Sequence, residues 1–173
     1  MTVEEVAQKS HYAAKIFLSS ELFKNAKHIM LYKSLGNETD TTDIINAAFR
    51  DGKIVSFPVT DAQSGEITPC IATRETEFEK GAFSVSEPTN TEVADVGKIE
   101  LILIPGIAFS KKGSRVGFGK GCYDRLLQNS SAIKVGFCYD FQLCEEIPSE
   151  QHDVTMDYIV TETCMIDCKG TNK

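Results

Sequence analysis

One stretch limits what this chain can fold into: Ile99–Leu127, IELILIPGIAFSKKGSRVGFGKGCYDRLL. It opens with Ile99–Ile104, an apolar run rich in branched residues and broken only by Glu100. The run stops at Pro105-Gly106, crosses a basic, glycine-rich loop, and regular structure resumes from Cys122 to Leu127. This reads as buried strand, loop and helix, the order in which open α/β sheets place ligands beyond the carboxyl end of a strand. Gly117, Gly119 and Gly121 alternate just before the helix. Lacking Cβ atoms, they let the backbone approach a ligand closely, and successive N–H groups can line an anion-binding concavity.

Charge points the same way. In segment 111–125, Lys111, Lys112, Arg115, Lys120 and Arg125 stand against Asp124, a formal charge of +4 in a chain that carries −7. A basic insert beside a glycine loop in an acidic protein suits phosphate, and the competing reading is a surface turn with solvated lysines. Two familiar phosphate motifs are excluded. A Walker A loop needs a glycine where Ser114 stands and a Ser or Thr where Gly121 stands. The dinucleotide fingerprint fails because Cys122 occupies the place of its third glycine.

The 173 residues, 42% apolar and 25% charged, suit one globular domain spanning 1–173, with a polar tail from about Cys168 expected to fray. The longest uncharged, mainly apolar run, Leu101–Phe109, is nine residues and cannot span a bilayer. No signal peptide is visible at the N-terminus, so a cytoplasmic location is expected. Six cysteines (70, 122, 138, 144, 164 and 168) include no C-x-x-C pair, and reduced thiols are expected. The acidic balance, with no basic stripe, argues against nucleic-acid binding.

Along the chain, Thr2 and Glu5 fit a capping box, opening a helix to about Leu18 that aligns Val6, Ser10, Ala13, Ala14 and Phe17. Lys27–Tyr32 is the first strand. Asp40 or Thr41 caps a helix carrying Ile44, Ile45, Ala48 and Phe49, with Gly52 as its stop. Ile54–Phe57 is the second strand, ended by Pro58; together these form a βαβ unit. Asp61–Gly65 is a turn, and Glu66–Ala72 pairs back as a hairpin strand. Residues 74–98 read as a long loop punctuated by Gly81, Pro88, Asn90 and Gly97. Ile133–Cys138 is another buried strand, Gln142–Glu146 a short helix, and Tyr158–Thr161 the last strand. The expected fold is a single-domain, Rossmann-like α/β open sheet, mostly parallel, with flanking helices and a hairpin extension.

Residues 100–127 resemble the signature of the 5-formyltetrahydrofolate cyclo-ligase (methenyltetrahydrofolate synthetase) family. That signature is a strand ending in Pro-Gly, an Ala-Phe-Asp-like step, then Gly-x-Arg-Leu-Gly-x-Gly-x-Gly-Tyr-Tyr-Asp. The matching text here is Pro105–Ser110 followed by Gly113–Asp124. Glu38–Thr41 resembles the family's Glu-x-x-Thr, Gly81 through Glu87-Pro88 its mid-chain Gly…Glu-Pro step, and Asp153 a late aspartate. The likeness runs from about residue 1 to 162.

The resemblance implies ATP-dependent conversion of 5-formyltetrahydrofolate, polyglutamylated or not, to 5,10-methenyltetrahydrofolate with release of ADP and phosphate. It implies that Arg115, Val116, Gly117, Phe118, Gly119, Lys120, Gly121, Cys122 and Tyr123 hold ATP. Lys120 and Arg115 are the implied catalytic cations. Glu38 and Phe118–Cys122 border the folate, and Asp124 and Asp153 bind Mg²⁺. No membrane partner and a monomeric state are expected. Three departures stand out: no early basic pair matches the family's Lys-x-x-x-Arg, Cys122 replaces a Tyr, and Ser110 replaces an Asp. They keep open an alternative, a weakly active or non-catalytic folate- or nucleotide-binding homologue. Fold analogy alone gives a third reading, a sugar-phosphate isomerase-like domain, against which the Glu38 loop speaks.

Overall fold

Leucine and isoleucine alternate through Leu101–Ile104, and the fold divides them between two cores. Leu101 and Leu103 face one, Ile102 and Ile104 the other, and all four are fully buried. A strand apolar on both faces needs a layer over each, as in the interior of a parallel sheet. Each such side chain contributes about 1.5–3 kcal/mol by leaving water.

The computed structural model describes residues 1–89 and 91–170. In chain order its helices and strands are α1 (Val3–Ser19), α2 (Glu21–Asn25), β1 (His28–Met30), α3 (Thr42–Arg50), β2 (Ile54–Thr60) and β3 (Ile67–Ala72). Next come β4 (Phe78–Lys80), β5 (Ser86–Pro88), β6 (Glu92–Val93), β7 (Leu101–Ile104), β8 (Ala108–Ser110) and β9 (Arg115–Val116). The series ends with α4 (Cys122–Gln128), β10 (Ile133–Phe137), β11 (Leu143–Cys144), β12 (Tyr158–Val160) and β13 (Met165–Asp167). Eight strands form the main sheet in the order β13-β12-β10-β7-β1-β2-β3-β6. The five central strands are parallel, and β13, β3 and β6 each join the flanks through an antiparallel pairing. The mostly parallel open α/β sheet with a hairpin extension is therefore what forms.

Helix α1 begins at the expected capping box: Thr2 Oγ1 accepts from the Glu5 amide, and the Glu5 carboxylate accepts from the Thr2 amide. Its face of Ser10, Ala13, Ala14 and Phe17 is buried against the sheet together with Ile44, Ala47 and Ala48 of α3. At α3 the side chain that caps is that of Asp40, whose Oδ1 accepts from the Thr42 amide at 2.9 Å, while Thr41 Oγ1 turns back to the Tyr32 carbonyl. Leu126 and Leu127 of α4 cover the opposite face.

Several sequence expectations are corrected. Pro58 does not end the second strand, which continues to Thr60 with Pro58 opposite Pro69. Backbone groups of alternate residues face alternate neighbours, so Pro58 shares the side of Ser56, which pairs with β1. There β1 has already ended, with the Leu31 amide on the Ser56 carbonyl. Pro69 offers its carbonyl to the Ala94 amide. Neither proline is asked for the N–H it lacks. The segment 74–98 is not a plain loop: β4 and β5 form a hairpin, β6 joins the main sheet, and Asn90 lies outside the described residues. No helix runs over 142–146; a 3-10 turn at Asp140–Gln142 leads into β11, which pairs with β8. The glycine-rich loop contains a small hairpin, β8–β9. The strand at Tyr158–Val160 is not the last, since β13 follows and pairs with it, and Cys168, where the polar tail was expected to begin, is 3% exposed within the second core; residues 171–173 lie outside the described residues.

Polar groups brace the amino ends of the strands. The Glu100 carboxylate accepts from the Lys27 and His28 amides, and His28, only 5% exposed, pairs its Nε2 with Ser56 Oγ at 3.1 Å. Burial lowers the His28 pKa from its ordinary 6.5, with the Glu100 charge opposing. The Lys27 and His28 amides hold the Glu100 carboxyl below its ordinary 4.5. Each depressed group binds fewer protons in the fold than in the unfolded chain. The contribution of His28 is complete above pH 6.5 and declines as pH falls toward its lower folded pKa; that of Glu100 is complete above pH 4.5 and declines below it. The thermal midpoint is therefore expected to drop between about pH 7 and 5.5, and His28→Gln to flatten that drop. Calorimetry across this range checks both, and equal slopes for the two proteins would refute the assignment to His28.

Candidate active site

Because β1, β7 and β10 are parallel, their carboxyl ends open at one edge of the sheet. A cavity of about 430 Å³ lies there. Tyr32, Leu35, Glu38 and Thr39 line it after β1, Pro105–Ile107 after β7, and Tyr139, Phe141 and Gln142 after β10. Met1, Asn37, Phe137 and Phe118 complete the lining, and Phe118 belongs to the glycine loop.

Glu38 sits where the sequence suggested a ligand-facing carboxylate. Its Oε2 accepts from the Leu35 amide at 2.7 Å, closing a tight loop. Burial raises its pKa above 4.5, while that N–H works in the opposite direction. Two tyrosines pin the Glu38 segment from behind: Tyr139 Oη donates to the Glu38 carbonyl at 3.1 Å and Tyr32 Oη to the Thr39 carbonyl at 2.9 Å. Ser10 Oγ, within 3.3 Å of Tyr139 Oη, accepts from the Asp40 amide. Glu38 is thus placed by α1, β1 and β10 together.

The glycine loop turns through left-handed backbone at Gly119 (φ 88°) and Gly121 (φ 61°), which admits the chain to α4 without a Cβ clash. Val116, Gly117, Phe118, Gly119 and Lys120 project from β9 to this turn, with Phe118 65% exposed at the cavity edge. Lys120 Nζ lies 3.5 Å from the centroid of the Phe83 ring, a contact within reach of a cation–π attraction. Phe83 and Ser84 both have positive φ (55° and 65°), an uncommon conformation for residues with side chains. Cys122 does not line the cavity and packs on the second core, where a Cβ at Gly65, in the β2–β3 turn, would lie 3.2 Å from its Sγ. Arg125 donates to the Ser64 carbonyl on the same turn, a structural contact consistent with its exclusion from the expected site.

Arg115 is held differently from a free phosphate clamp. Its side chain is 5% exposed, with Nη1 donating to the Pro105 carbonyl and Nη2 to Asp124 Oδ2, each at 3.2 Å. The guanidinium also lies 5.6 Å from the Tyr123 ring, whose phenol burial keeps neutral against that positive charge. Nε of Arg115 is buried without a partner. Asp124 Oδ1 accepts from the Val154 amide, the residue after Asp153. Asp153 accepts from the Glu150 amide and lies 3.7 Å from His152 Nε2. The two aspartates thus belong to touching segments, although no cluster of three or more metal-ligating side chains occurs among the described residues.

Sequence reasoning reached Glu38 and Phe118 but missed Tyr139, Phe141, Gln142, Ile107 and Phe83. Four of these follow the carboxyl ends of β10 and β7, so the rule that ligands gather there was a usable signal. Phe83 lay in a stretch read as featureless loop.

Removing the Arg115 cation leaves a partly buried carboxylate and a strand-end carbonyl unpaired. Arg115→Met is therefore expected to cost about 3 kcal/mol of stability, and Arg115→Lys less, since one ammonium cannot span both acceptors. Denaturant unfolding of both variants checks this; equal stability to the parent chain would show the pair to be inert.

Comparison with known proteins places the fold. A sequence profile of the 5-formyltetrahydrofolate cyclo-ligase family matches residues 1–162. The chain is 30% identical to the 5-formyltetrahydrofolate cyclo-ligase of Escherichia coli, over 93% of this chain and 92% of that protein. It is 27% identical to the enzyme of the same name from Mus musculus, over 94% and 86%. The NMR structure of Aquifex aeolicus 5,10-methenyltetrahydrofolate synthetase superposes with a TM-score of 0.86 at 31% identity, covering 98% of this chain and 86% of that one. With a profile match across nearly the whole chain and a shared fold, the chain belongs to the 5-formyltetrahydrofolate cyclo-ligase family.

Proposed function

We propose that the chain converts 5-formyltetrahydrofolate to 5,10-methenyltetrahydrofolate, driven by ATP hydrolysis to ADP and phosphate. The observation that carries this reading is that Phe118 of the glycine loop and Glu38 line one cavity. A folate held by Glu38 therefore lies beside the loop suited to phosphate. The formyl oxygen takes the γ-phosphoryl group from ATP, N10 attacks the activated carbon and gives up its proton, and the C–O bond breaks as phosphate leaves. Such transfer needs positioning and positive charge more than covalent help from the protein.

Glu38, as a carboxylate, accepts paired N–H bonds from the pterin-like ring. The amides of Gly117–Tyr123 and the exposed ammonium of Lys120 receive the ATP phosphates, Lys120 leaving the Phe83 ring to do so. Arg115 acts from behind, holding Asp124 and the Pro105 turn. The hard oxygen donors of Asp124 and Asp153 fit Mg²⁺, an ion that takes one or two carboxylates and keeps waters and phosphates as its other ligands. When bound there, Mg²⁺ supplies charge neutralisation at the phosphoryl oxygens. We further propose a cytoplasmic single-domain monomer acting on polyglutamylated as well as simple folates. No helix among the described residues is long and apolar enough to cross a membrane.

Incubation with 5-formyltetrahydrofolate, ATP and Mg²⁺ should produce the methenyl chromophore. Lys120→Ala should raise the ATP KM about ten-fold or more while leaving the unfolding midpoint unchanged, because one charge-assisted contact is lost from an exposed side chain. Binding of folate without chromophore would identify a non-catalytic homologue, and unchanged kinetics in Lys120→Ala would return the loop to a solvated turn.

A further inference from the structure

Gln142 has a side-chain amide with both ends engaged. Its Nε2 donates to the Gly106 carbonyl at 2.9 Å and to the Ile107 carbonyl at 3.0 Å, and its Oε1 accepts from the Tyr139 amide at 2.8 Å. Reversing the amide would set its oxygen against two carbonyls, so the chemistry fixes the orientation. One residue thus joins two walls of the cavity: the turn after β7 and the 3-10 turn after β10, which carries Tyr139 and Phe141.

The contact has an electrostatic side. Carbonyls at the carboxyl ends of parallel strands point toward the crevice where ligands bind, and here the ligands proposed are anions. The Pro105 carbonyl is taken by Arg115, and those of Gly106 and Ile107 by Gln142. All three acceptors are turned onto protein donors. The stacked pair Tyr139–Phe141 (centroids 5.5 Å apart, 17° between planes) stands on the same short turn. Phe141 is 65% exposed at the cavity mouth. Directly after Gln142, β11 pairs with β8, so the side-chain link is the last tie before the two segments run together as strands.

We infer that Gln142 is a positioning residue for the folate side of the reaction: it holds the Tyr139–Phe141 shelf at a fixed separation from the Gly106–Ile107 turn. This rests on the reading of the cavity as the folate site. Gln142→Leu keeps the bulk and removes all three bonds. Gln142→Glu keeps an acceptor for the Tyr139 amide but turns a carboxylate against two carbonyls. Loss of two ordinary hydrogen bonds corresponds to about ten-fold in an equilibrium constant.

The test measures KM for 5-formyltetrahydrofolate, KM for ATP, kcat and the thermal midpoint in the parent chain and both variants. The expected result is a folate KM raised about ten-fold in each variant, with the ATP KM changed less than about two-fold. A purely structural link would lower the midpoint without moving the folate KM at a temperature where the variant is folded, and that outcome overturns the inference. An equal rise in both KM values also overturns it, since the effect would then be collapse of the whole site. If the parent chain neither binds nor converts the formyl-folate, the reading of the cavity fails; an active parent with an unaltered Gln142→Leu KM sinks only the role of Gln142.

Discussion

A guanidinium buried at the carboxyl end of the central strand ties the site to the fold. Arg115 reaches the Pro105 carbonyl with one nitrogen and Asp124 with another, so strand end, hairpin and helix start share a single cation. Desolvating a charge is costly unless its donors are used, and the exposure of 5% shows how little water remains to help. The arrangement persists because its two acceptors belong to segments that must come together in any case. Asp124 passes the constraint onward through its second oxygen to the Val154 amide. The ordering of the glycine loop therefore depends on a group that the sequence presents as just one more member of a basic run.

The same logic explains what could be read from sequence and what could not. The strand at Leu101–Ile104 was legible because burial on both faces writes a continuous apolar run, and α1 because its cap and its buried face repeat at helical spacing. The glycine loop was legible as a tight turn leading into α4 because its glycines are a local property, and its proposed role toward phosphate rests on equally local charge. Arg115 was not, since whether a guanidinium faces solvent or lies beneath the loop is decided by where Pro105 and Asp124 come to rest. The helix expected at Gln142–Glu146 failed for a similar reason: the Gln142 side chain and the backbone of β11 find partners in the turn after β7 and in β8. Such pairings, more than thirty residues distant in the chain, override local preference, which is weak in so short a segment.

The cavity likewise is a product of three strand ends and no single motif. Glu38 owes its position to hydroxyls from Tyr32 and Tyr139, and Tyr139 in turn meets Ser10 of α1. A residue that looks like a loop acid in sequence is thus held by three separate elements. Its raised pKa follows from the same enclosure, which strips water from the carboxyl. The proposed recognition of an N–H-bearing ring by Glu38 would gain from that setting, because a partly desolvated acceptor gives up less on binding.

The facing prolines of β2 and β3 bear on how the chain finds its pairing. With Pro58 opposite Pro69, each ring turns its missing donor away from the other strand. A slip of one residue would bring a donorless position into the ladder and turn the alternate side chains of β2 to the wrong face. The two rings therefore help select the register of this hairpin, because the native pairing is one that needs neither missing donor.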